Sequence, residues 1–145
     1  MALALRILLA VLGVSAILIA LSILFLGAAS TAGVAEAGYD ALTGHRYPAT
    51  GAWPPTMDSE LRFYAPFWGT YGILLLAAAR DLPRWLKFVP GLAAVFFAGG
   101  VGRALSLATV GAPHPVFALL MAVELILPPI LVLLWYAIRR ETPSQ

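Results

Sequence analysis

The chain has 145 residues, of which 61% are hydrophobic and 11% charged, with a formal net charge of +2 and no cysteine. Soluble domains carry about a quarter charged residues, so this composition excludes an ordinary water-soluble domain and points to one compact unit in a membrane. The missing cysteines exclude disulfides, thiolate catalysis and zinc–thiolate sites, and without a basic patch interleaved with aromatics there is no support for nucleic-acid binding.

Four segments are long and apolar enough to cross about 30 Å of hydrocarbon, where each must be helical to satisfy its own backbone. The predicted architecture is all-α: a four-transmembrane-helix bundle with helices at about 7–29, 61–80, 86–110 and 116–138. The first segment follows Arg6 and precedes the small residues "GAAS". That pattern could be a signal peptide, but the apolar run exceeds a signal core of about 7–15 residues and reads better as an uncleaved membrane helix.

Residues 30–59 form the one long connection. Its first part can make a short helical turn, and its second part, rich in Gly, Pro and Thr, reads as irregular. Tyr39, Tyr47 and Trp53 imply that part of it packs on the bundle or the lipid surface. The second predicted helix opens with Asp58 as a plausible N-cap and Glu60 near the positive end of the helix dipole. Glu60, Tyr64, Trp68 and Tyr71 are spaced by four, four and three, on one face that could line an outward-opening pocket. An interfacial aromatic belt explains Tyr64 and Trp68 as well, and Tyr71 less so.

The third helix contains "FFAGGVGRALS", in which Arg103 sits among glycines inside an apolar run. Arg103 lies seven residues from the outer end at Val110, about 10 Å deep; Glu124 lies eight residues beyond Val116 in the fourth helix, about 12 Å deep. The short turn "GAPHP" makes these helices antiparallel neighbours, so the two charges meet at one depth. An unpaired charge there costs about 2.5–3.5 kcal/mol or more, so an Arg103–Glu124 ion pair is expected. That pair could simply fix helix register, or Arg103 could snorkel outward. Gly99, Gly102 and the Ala94–Ala98–Gly102 spacing would let a neighbour approach closely. Ser106 lies one turn further out on the arginine's face, and Glu60 or Arg62 could join the cluster. His114, between two prolines, is more readily structural or solvated than catalytic. No second histidine stands at metal-ligand spacing, so neither a metal nor another cofactor is expected. Pro128–Pro129 should kink the fourth helix.

Lys and Arg in the short loops set orientation. Arg6, Arg80, Arg84, Lys87, Arg139 and Arg140 fall on one side, against Arg46 and the boundary residue Arg62 on the other. Both termini are therefore expected in the cytoplasm, with the 30–59 loop outside.

The stretches "DSELRFYAPFWGTYGILLLAAARD", "FFAGGVGRALSLATVGAPHP" and "ELILPP" together resemble the DUF4345 family of small bacterial membrane proteins, with the likeness best over residues 58–129. The resemblance implies a bundle of membrane helices, in a bacterial inner membrane, and implies no established activity. Three functional readings follow. The first is a non-enzymatic protein that binds a membrane lipid or hydrophobic small molecule, or supports a membrane partner, through Glu60, Arg62, Tyr64, Tyr71, Arg103, Ser106, His114 and Glu124; oligomerisation is compatible with it. The second is an intramembrane enzyme with isomerase-like acid/base chemistry on Glu60 or Glu124, with Arg103 orienting. The third is a small proton-coupled transporter using Glu124, for which no inverted repeat is visible.

Overall fold

The computed structural model describes residues 1–48 and 53–141, and within them every regular element is helical. Helix α1 (Ala2–Leu26) is aliphatic almost throughout and buries one stripe, Leu5, Leu9, Gly13, Ala16 and Ala20. Its other faces expose Ile7, Val11, Val14, Leu18 and Phe25. A helix apolar all round that leaves large side chains uncovered needs a non-aqueous neighbour. Among the described residues, three helical stretches meet the length and apolarity needed to cross a membrane: Ala2–Leu26, Leu82–Thr109 and Pro115–Glu141. The chain is accordingly a membrane protein. Helix α3 (Pro55–Arg80) is as long as these, but it carries Asp58, Glu60 and Arg62 near its start and Trp, Tyr, Gly and Thr in its middle, which lower its apolarity.

The expected outer loop is instead mostly helix. Gly27 adopts φ 89°, ends α1, and is followed at once by α2 (Ala28–Thr43). Alanine is the strongest helix former, and this segment is alanine-rich. It buries Ala28, Ala32 and Glu36, one residue per turn, and Gly44 ends it in the left-handed conformation at φ 71°.

Helix α3 runs antiparallel to α1, and the two approach closely through glycines. A Cβ on Gly13 would come 2.9 Å from the Gly72 carbonyl oxygen, and one on Gly72 would come 2.8 Å from that of Gly13. Each end of the pair is closed by an arginine. Arg6 of α1 donates to the terminal carbonyls of Ala79 and Arg80 on α3, at 3.0 and 2.8 Å. Arg62 of α3 donates to Leu24 O near the end of α1, at 2.6 Å. Terminal helix carbonyls lack intrahelical partners, and lipid cannot supply any, so each helix caps the other.

A short α4 (Leu82–Trp85) and a 3₁₀ turn (Leu86–Phe88) lead into α5 (Val89–Thr109), and a turn through Gly111 returns the chain as α6 (Pro115–Glu141). Helices α5 and α6 form the second antiparallel pair. Their close approach rests on Gly100, where a Cβ would lie 2.9 Å from Leu125 Cδ2 and 3.0 Å from Glu124 Cβ. The expected contact residues Gly99 and Gly102 contribute less: Gly99 has 3.8 Å of clearance to Glu124, and nothing lies within 4 Å of Gly102. The facing stripe is set by helix rotation, which places Leu92, Ala93, Phe96 and Gly100 inward. Helix α6 continues through Pro128 and Pro129. Since proline has no N–H, the carbonyls of Glu124 and Leu125 have no donor one turn on.

The two pairs meet through an aromatic layer. Trp68 stacks on Tyr71 at 5.2 Å and on Phe96 at 6.3 Å. The buried Tyr71 hydroxyl donates to the α5 carbonyl of Leu92 at 2.7 Å, giving the phenol the partner it needs.

Candidate functional site

Arg103 reaches its α6 partner as the depth argument requires. Its Nε donates to both carboxylate oxygens of Glu124, at 3.0 and 2.8 Å. Glu124 is buried, whereas the Arg103 side chain keeps 41% of its surface exposed. The geometry differs from a two-nitrogen fork. One N–H serves the whole carboxylate, and the other four guanidinium N–H groups have no acceptor among the described residues. The guanidinium carbon sits 6.0 Å from the ring centre of Phe117, within range of cation–π attraction.

Beside this pair the halves of α5 and α6 nearest their connecting turn line a cavity of about 290 Å³. Arg103 and Ser106 supply its polar wall; Leu107, Phe117 and Met121 supply much of the apolar one, and Trp53 lines it from the segment before α3. The sequence argument placed Arg103 and Ser106 together, and the structure does so. It missed Leu107, Phe117 and Met121. Phe117, Met121 and Glu124 follow steps of four and three on α6, the available signal that one face of that helix turns toward the arginine.

The residues expected to share one face of α3 lie in different surroundings. Tyr64 is exposed and packs edge-on against Phe63, and Tyr71 is turned to the α5 backbone. The buried stripe of α3 runs through Ala65, Tyr71, Gly72 and Leu75, so Glu60 and Tyr64 lie off it. Glu60 is exposed and makes no ion pair with Arg103 among the described residues. Arg62 is engaged elsewhere: its Nε holds Asp58 at 2.7 Å. Asp58 was expected to cap α3. Its Oδ1 instead accepts the Ala28 N–H at 3.1 Å, so it caps α2 from another helix. The Asp58 carboxylate thus ties α2 to α3 through that amide and the Arg62 guanidinium. Gly27 is needed at this corner because its φ of 89° is a backbone conformation that residues with a side chain rarely adopt.

His114 is neither solvated nor part of the cavity. Its side chain is 1% exposed and lies 3.3 Å, Nε2 to Oδ1, from Asp40 of α2. Tyr39 and Tyr47 meet the ring edge-on at 5.8 and 5.4 Å. Nδ1 accepts the Val116 N–H at 3.3 Å, which makes His114 the N-cap of α6 and leaves Nε2 to face Asp40. Asp40 Oδ2 in turn accepts the Tyr47 N–H at 3.3 Å. This cluster anchors α2 over the α5–α6 turn.

A family model described as a domain of unknown function, DUF4345, matches residues 4–136. The chain belongs to the DUF4345 family. The match spans α1 through most of α6, so it includes α2 and both charged partners of the Arg103 site. No curated protein matches the chain. No solved structure does either.

Proposed function

We propose that this DUF4345 protein is a small multi-pass protein of a bacterial inner membrane that holds a lipid or hydrophobic small molecule in the Arg103 cavity. In this reading α3 is a fourth spanning helix, both termini are cytoplasmic, and α2 lies on the outer surface. The clustering of Arg6, Arg80, Arg84, Lys87, Arg139 and Arg140 at one end of the bundle supports that orientation. So do Trp135 and Tyr136, whose rings carry Arg139 and Arg140 at that end.

The observation that carries the reading is the cavity itself, mostly apolar with a guanidinium and a hydroxyl at one wall. Hydrophobic-ligand sites have this make-up, with few polar groups to fix orientation. An acid–base enzyme fits less well. Both oxygens of Glu124 are committed to Arg103, which suits orientation over proton transfer. The deciding experiment is mass spectrometry of molecules retained by the purified protein. One dominant retained species, lost when Ala118→Trp fills the cavity, is expected. A bulk lipid mixture indifferent to that substitution would leave the cavity a packing feature.

A further inference from the structure

We infer that the head group this cavity takes is uncharged and accepts hydrogen bonds: an ester, carbonyl or ether oxygen on an aliphatic chain, as in an acylglycerol. This rests on the binding reading above and narrows it by charge and donor bookkeeping.

Arg103 brings one positive charge to the cavity wall, and Glu124, on both of whose oxygens its Nε lies, cancels that charge. The other arginine at the outer end of α3, Arg62, is neutralised by Asp58 and caps α1. Among the described residues no further cation lines the cavity. A carboxylate or phosphate entering it would make two anions share one guanidinium in a medium of low dielectric, and the second would be left without a counter-charge.

The hydrogen-bond ledger points the same way. Four guanidinium N–H groups without acceptors and the Ser106 hydroxyl make a wall dominated by donors. Donors at membrane depth need acceptors, since an unsatisfied group in hydrocarbon is costly. An ester or carbonyl oxygen provides them and adds no charge. The remaining lining, with Leu107, Phe117 and Met121, takes the chain.

The test is a native mass spectrometry titration of the full chain in one uncharged detergent at pH 8. Its probes are monooleoylglycerol, oleate and hexadecane. Monooleoylglycerol should bind, with oleate and hexadecane each about tenfold or more weaker, because one adds an uncompensated charge and the other leaves the donors unmet. Ala118→Trp should abolish monooleoylglycerol binding without touching the ion pair. Glu124→Gln, which frees the Arg103 charge, should shift preference toward oleate. Oleate binding as tightly as monooleoylglycerol to the wild type would overturn the inference and leave a general lipid site standing. Hexadecane binding equally would show that the head group makes no contact, with the same consequence. If no probe binds, the binding reading and this inference fall together. If Glu124→Gln does not fold, the wild-type ranking and Ala118→Trp still decide.

Discussion

At the Arg103–Glu124 contact the two partners are unequally placed, and their substitutions should differ accordingly. Glu124 is 7% exposed and would be stranded as a buried acid by Arg103→Gln. That substitution should cost about 1–3 kcal/mol in thermal unfolding followed by circular dichroism in detergent. Glu124→Gln should cost less, because Arg103 is partly exposed and the glutamine amide oxygen can still accept from its Nε. The double variant should lose less than the sum of the two, as a coupled pair requires. Additive losses would mean the contact contributes nothing. The depth of each charge and the shortness of the turn between them were readable along the chain. Which glycine makes room for Glu124 was not. Gly99, Gly100 and Gly102 differ only in helix rotation, and an apolar helix with small residues on several faces gives no periodic signal to set it.

Helices α1 and α3 are held by backbone proximity in the middle and by arginine caps at both ends. Gly72→Ala would drive a methyl against the Gly13 carbonyl, which cannot swing aside as a side chain can. A loss of about 1–3 kcal/mol is expected, against little change for Gly102→Ala, again by thermal unfolding. Helix α2 depends on Asp58. Asp58→Ala should loosen its first turn, seen as faster amide exchange at residues 28–31. The presence of α2 was hard to read because its buried stripe is Ala28, Ala32 and Glu36, which carries almost no hydrophobic contrast. Arg6 and Arg62 were legible as charges but not as caps, since a cap supplied by another helix leaves no local spacing to find.

Across the whole molecule, the aromatic layer joins two helix pairs whose outer surfaces stay apolar, as a lipid-facing bundle needs. Composition and segment length announced the helices and the membrane. The position of the cavity did not follow from them, because it lies between α5 and α6 rather than along the polar–aromatic start of α3. The proposed orientation predicts that single cysteines introduced at residues 3 and 139 are both shielded from an impermeant thiol reagent in intact cells, while one at residue 42 is labelled. The central claim, that the outer halves of α5 and α6 hold an acyl chain, is tested most directly by photo-crosslinking. The probe is a monoacylglycerol with a diazirine in its chain, and the adducts are mapped by peptide sequencing. Adducts concentrated at Leu107, Phe117 and Met121, and lost in Ala118→Trp, are the predicted result. Adducts spread over the exposed faces of α1 and α3, such as Phe25, Phe63 and Phe67, and unchanged by Ala118→Trp, would contradict it.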